Sequence, residues 1–136
     1  MFNKETEYAL RAMVYTQLQN KNERRPGIIE ISEEIEAPKF FTAKILQRLV
    51  KRGFIESLKG KGGGFHFDPA KPDLPIKVVV EAIEGGKLFS GCGFGLKQCD
   101  ANNPCPLHFH FAPIRDALNS LVTNETIQSL AENFKK

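Results

Sequence analysis

Between Pro38 and Phe67 the chain reads PKFFTAKILQRLVKRGFIESLKGKGGGFHF, and no other stretch limits the fold as strongly. Wound at about 100° per residue, Lys44, Arg48, Lys51 and Arg52 fall in one sector and Ile45, Leu46, Leu49 and Val50 in the opposite one. The segment therefore predicts a helix with one buried and one basic face. Gly53 is placed to end it. Phe54 to Leu58 and Phe65 to Phe67 then read as two short strands around Lys59-Gly60-Lys61-Gly62-Gly63-Gly64, whose glycines permit the positive φ of a tight hairpin. A helix followed by a basic hairpin predicts a winged helix.

Charge gathers in the same place. Lys39, Lys44, Arg48, Lys51, Arg52, Lys59 and Lys61 stand against one acid, Glu56, giving +6 in a chain whose net charge is +3. That asymmetry is the footprint of a surface that meets phosphate, because Lys and Arg that neutralise a nucleic-acid backbone release its condensed counterions. Lys39, Phe40, Phe41 and Thr42 sit at the helix start, where a groove-inserted helix touches base edges, with Lys44, Arg48 and Lys51 along it. Lys59, Lys61, Gly62 and Gly63 form the wing, placed to reach phosphate or the adjacent minor groove. Gly60-Lys61-Gly62 lacks the spacing of a phosphate loop, and His66 reads as an exposed strand residue.

Around this centre the chain supplies supporting helices. Asn3 is placed to cap a first helix running to about Asn20, with Glu5 and Glu7 in its first turn. Its apolar residues, from Tyr8 to Leu18, leave little polar surface, so central packing is expected. Ile28, Ile31 and Ile35 predict a short second helix, and Glu36-Ala37-Pro38 a tight turn, which is helix-turn-helix spacing. The acids Glu30, Glu33, Glu34 and Glu36 must face away from phosphate or pair with the basic helix. Asp68 to Pro75, with three prolines, reads as a connector, and Ile76, Val79, Val80 and Ile83 mark a helix ended by Gly85-Gly86. Residues 87–106 read as irregular. A long helix from near Leu107 carries the stripe Ile114, Leu118, Leu121 and Val122, and a shorter one follows over 125–134. An apolar stripe outside a complete winged helix predicts a homodimer.

The expected fold class is thus mainly α with a small β-hairpin wing: a winged helix-turn-helix plus a long C-terminal dimerisation helix. The expected division is a DNA-binding head over 1–86, a cysteine loop over 87–106 and dimerisation helices over 107–136. A chain of 136 residues suffices for one compact domain and such an appendage. No run approaches the roughly 18 apolar residues of a membrane span, and the N-terminus lacks a signal-peptide core, so a cytoplasmic protein is expected.

Cys92, Cys99 and Cys105 follow the pattern C-x6-C-x5-C, with His108 two intervening residues further on. Thiolate and imidazole ligate zinc, iron and iron–sulfur clusters, and the loop is short enough to wrap one centre. The fourth position stays open to His108, His110, Asp100 or a residue from elsewhere. Spacing does not choose between iron–sulfur and zinc, and a metal-free thiol switch joining Cys92 to Cys99 or Cys105 stands beside them. No paired acid and base, activated nucleophile or open metal site with a substrate pocket is evident, so no enzyme is expected.

The segments YALRAM, LQRLVKRGFIESLKGKGGGFHF and EAIEG, followed by the spaced cysteines, resemble in that order the bacterial winged-helix regulator family that includes IscR, NsrR and CymR. The resemblance spans nearly the whole chain, and LVKRGFIESLKGKGGGF is its most specific part. It implies a homodimeric transcription factor, usually a repressor, on a roughly palindromic double-stranded DNA operator, with a cluster held near the dimerisation helix. His108 is similar in placement to the fourth ligand of the iron–sulfur biogenesis regulators, which hold a [2Fe-2S] cluster. Glu7, just before Tyr8-Ala9-Leu10, sits where nitric-oxide or redox sensors of the family offer a carboxylate from the partner subunit. His108 is favoured over Glu7 and [2Fe-2S] over [4Fe-4S]; a zinc-stabilised interaction protein is the alternative.

Overall fold

The computed structural model describes residues 2–97 and 100–134, so Cys99 lies outside the described residues. In order, the elements are α1 (Lys4–Lys21), α2 (Ile28–Glu34), α3 (Lys39–Lys51), β1 (Glu56–Leu58), β2 (Gly64–His66), α4 (Ile76–Glu84), α5 (Lys87–Ser90), α6 (His108–Asn124) and α7 (Ile127–Asn133). They fall into two compact units, one built from the chain up to Leu74 together with the segment from Thr126 onward, the other from Pro75 to Glu125.

In the first unit α1 is central, with α2, α3, β2 and α7 all packed on it. Its start is the expected one: the Asn3 side chain accepts the Thr6 N–H at 2.8 Å. Thr6, Ala9, Ala12, Met13 and Thr16 form its buried row. The α2–α3 turn places Glu36 at φ 53, while the Ala37 N–H bonds the Ser32 carbonyl at 3.1 Å and the Glu36 N–H bonds Glu33 at 3.3 Å. This is a helix-terminating arrangement in which a glycine usually occupies the left-handed position. The end of α3 repeats it with that glycine, Gly53 at φ 78, and a Phe54 N–H to Leu49 carbonyl bond of 3.0 Å. Ile45, Leu46 and Leu49 of α3 are buried, each such side chain contributing about 1.5–3 kcal/mol.

The hairpin is antiparallel with Glu56 opposite His66, Ser57 opposite Phe65 and Leu58 opposite Gly64. Its outer edge is tied down. The Phe65 N–H donates to the Pro26 carbonyl at 2.9 Å, and the Asn20 side chain donates to the Phe65 carbonyl (3.2 Å) and accepts from the Phe67 N–H (2.9 Å). The terminal helix α7 also belongs here. Thr126 and Ser129 form a reciprocal cap that starts it, its Ile127 N–H bonds the Leu74 carbonyl at 2.9 Å, and it packs on α1. The compact units therefore do not follow the divisions expected at residues 86 and 106, because α7 returns to the head and α4 joins α6.

In the second unit α4 and α5 pack against α6. The helical turn α5, anchored by the buried Phe89, interrupts a stretch that reads as irregular in the sequence. Along α6, Ile114 and Leu121 are 61% and 53% exposed and Leu118 is half-buried. Val122 corrects the expected dimerisation stripe: it is fully buried, because one further residue turns about 100° from Leu121. Among the described residues no helix is long and apolar enough to cross a membrane.

Candidate nucleic-acid interface and cysteine loop

The exposed face of α3 carries Lys39, Phe40, Phe41, Lys44, Gln47, Arg48 and Lys51. Phe40 and Phe41 are 63% and 54% exposed, their rings edge to face at 5.9 Å, and the Lys44 ammonium lies 4.4 Å over the Phe40 ring. Phe40, Lys44, Gln47 and Lys51 follow helical spacing and form one outward ridge. Sequence reasoning missed Gln47, whose spacing of seven from Phe40 was the available signal. Thr42 is a correction. It is fully buried, and its hydroxyl donates to the Pro38 carbonyl at 3.1 Å, so it braces the first turn from within instead of touching a base. Its position two residues after Phe40 turns it toward the core.

Arg48 pairs with Glu5 in the first turn of α1. Both side chains are well exposed, so solvent screens the pair and a phosphate can compete for the guanidinium. At the wing tip Lys59, Lys61 and Gly62 are exposed and Gly63 half-buried, while half-buried His66 lies 3.7 Å from Glu56 across the hairpin. The acids of α2 do not crowd this face uniformly. Glu30 is held by Arg24 at 2.8 Å and by the Tyr15 hydroxyl, and the Arg24 hydrogen bond is the main reason its carboxyl lies below the usual range. Burial, then Glu30, pushes the Tyr15 hydroxyl up.

In the second unit the Cys92 and Cys105 sulfurs are 3.4 Å apart. The Phe94 N–H reaches the Cys92 sulfur at 3.4 Å, and backbone donation from Phe94, then Leu96, holds the Cys92 thiol below its ordinary value. Two thiolates on one tetrahedral zinc would lie ~3.8 Å apart, given Zn–S bonds of about 2.3 Å. The observed 3.4 Å is shorter than that separation, so the two sulfurs would have to part slightly to share one metal ion, for which two thiols are suitable soft donors. The loop is seated on α6: a Cβ at Gly93 would come within 2.5 Å of the Phe111 ring, and the Arg115 guanidinium reaches the Gly91 carbonyl at 3.4 Å.

The other candidate ligands among the described residues lie on α6, in the loop and on α1. His108 opens α6, half-buried, its ring edge-on to Phe109 at 5.0 Å; its backbone N–H donates to the Cys105 carbonyl. Asp100 accepts the Asn102 N–H within its own turn, His110 is exposed, and Glu7 lies 3.7 Å from Lys4 on α1. Among the described residues no three His, Cys, Asp or Glu side chains converge on one point.

A helix-turn-helix with a basic outward face, followed by a glycine-tipped wing, defines a DNA-binding transcription regulator. The chain belongs to the Rrf2 family, described as iron-dependent transcriptional regulators, which it matches over residues 2–133. An Aquifex aeolicus protein provisionally named as an HTH-type transcriptional regulator is 27% identical over 132 residues, covering 96% of this chain and 90% of that protein. The IscR regulator of Pectobacterium carotovorum is 24% identical, over 93% of this chain and 76% of its own. Among solved structures, CymR, the global cysteine regulator of B. subtilis, superposes with a TM-score of 0.77 at 18% identity, covering 99% of this chain and 98% of that one. The IscR of T. potens gives 0.72 at 14% identity, covering 100% and 93%. The fold is that of winged-helix regulators, and the family is one of regulators, not enzymes.

Proposed function

We propose that the protein is a homodimeric repressor whose operator affinity is set by an iron–sulfur cluster held by Cys92, Cys99 and Cys105 and responding to cluster status, nitric oxide or redox. The observation that carries this reading is the Cys92–Cys105 sulfur pair at 3.4 Å, with a backbone N–H on the Cys92 sulfur. His108, at the first position of α6, is the favoured fourth ligand, and Glu7 of the partner subunit is the alternative. A [2Fe-2S] cluster is favoured over [4Fe-4S]. When bound, the cluster supplies a centre whose charge and integrity change with oxidants or nitric oxide. The chain's own part is to hold it: Phe94 stabilises the anionic sulfur, while Gly93 and Arg115 seat the loop on α6.

On DNA, each α3 enters a major groove of a roughly palindromic operator, with Lys59 and Lys61 on phosphate or the neighbouring minor groove. Control requires operator affinity to differ between cluster-bound and cluster-free forms. The test combines iron, acid-labile sulfide and zinc analysis of protein purified without oxygen with operator binding by the Cys92→Ala/Cys99→Ala/Cys105→Ala variant. Expected are iron and sulfide in the native protein and loss of cluster-linked control in the variant. An unchanged operator response in that variant sinks the reading.

The same sulfur pair favours a second reading, a metal-free switch in which peroxide oxidises both thiols to a Cys92–Cys105 disulfide and is itself reduced to water. Protein that lacks iron and zinc when prepared anaerobically, yet responds to peroxide, selects it. Zinc alone selects a structural centre.

A further inference from the structure

Two large aromatic side chains stand at the tip of the helix that meets DNA, in a position where lysine, arginine or a polar side chain would read more base edges. We propose that Phe40 and Phe41 read the C5-methyl groups of thymine, so that each operator half-site carries thymine opposite the start of α3. The proposal deepens the DNA-binding reading and rests on insertion of α3 into the major groove.

Both rings are mostly exposed; Phe94 and Phe109 in the second unit are exposed as well, but only Phe40 and Phe41 stand on the basic face of α3. Their surroundings name the occupant. Lys39, Lys44, Arg48 and Lys51 share the exposed side of the same helix, which complements a polyanion rather than an apolar surface. On the floor of the major groove the apolar group among the standard bases is the thymine methyl; guanine, cytosine and adenine present donors and acceptors there. A phenyl ring over those edges displaces water without replacing its hydrogen bonds, so it selects thymine by contact and disfavours the other bases by leaving polar atoms unpaired. The rings are also held in place. Phe41 packs edge-on against Phe40, the Lys44 ammonium covers one Phe40 face, and buried Thr42 braces the turn that carries both. Little side-chain freedom is then left to lose on binding.

The test uses the full chain and a duplex library with a random core. The selected duplex is remade with deoxyuridine at one thymidine position after another, which removes the C5-methyl and keeps Watson–Crick pairing. Expected is a half-site thymine at which this replacement weakens binding about fourfold per methyl. The Phe40→Ala/Phe41→Ala variant should bind more weakly, be indifferent to that replacement, and keep the native salt dependence, since its lysines remain. Unchanged native affinity with every half-site thymine replaced overturns the proposal. So does a selected half-site without thymine, or an equal loss in the double variant. Absence of any salt-dependent duplex binding overturns the DNA reading itself and this proposal with it.

Discussion

Asn20 ties three chain segments together through one carboxamide. It donates to the Arg24 carbonyl at 2.9 Å and to the Phe65 carbonyl, and it accepts from the Phe67 N–H, joining the end of α1 to its following loop and to the far strand of the wing. Replacing it by alanine leaves part-buried backbone groups of the wing unpaired, so Asn20→Ala should lower stability by about 1–3 kcal/mol in denaturant unfolding. It should also weaken DNA binding by freeing the wing. If the wing meets DNA through Lys59 and Lys61, the same substitution in a Lys59→Ala/Lys61→Ala background should add no further loss of affinity. A double-mutant cycle measures this, and full additivity would show that Asn20 does not position the wing.

At the scale of the element, α3 depends on its two ends as much as on its apolar stripe. Pro38 begins it with φ −58, and Gly53 closes it in the left-handed region while aiming the chain into the wing. A Cβ at Gly53 would meet nothing nearer than the Lys71 ammonium at 4.0 Å, so space is not what requires glycine there. The backbone conformation is. Gly53→Ala should therefore cost about 1–2 kcal/mol, read as a lowered thermal midpoint, with the fold otherwise kept. Glu36 shows the contrasting solution at the end of α2, where a non-glycine residue takes φ 53 to make the helix-turn-helix bend.

At the scale of the whole molecule, α6 carries two kinds of apolar residue that its sequence stripe does not separate. Ile114 and Leu121 are largely exposed, and Val122 is fully buried. If the exposed pair forms the dimer contact, Ile114→Glu/Leu121→Glu should sediment as a folded monomer and lose affinity for a two-half-site operator. Val122→Ala should remain dimeric and lose about 1–3 kcal/mol of stability, since its burial lies within the protomer. A charged double variant that stays dimeric would move the contact elsewhere on the chain.

The winged helix-turn-helix, its basic face and the cysteine spacing were legible in the amino-acid sequence, because helical periodicity, glycine punctuation and ligand motifs are specified by residues within a few turns of one another. Tertiary structure alone decided that Thr42 and Val122 are covered and that α7 returns to α1. Among the described residues it also brings Cys92 and Cys105, thirteen residues apart in the chain, together in space. Asn20 finds the wing 45 residues away. Such outcomes depend on which faces are covered by distant segments, and a short sequence window holds only one side of that contact.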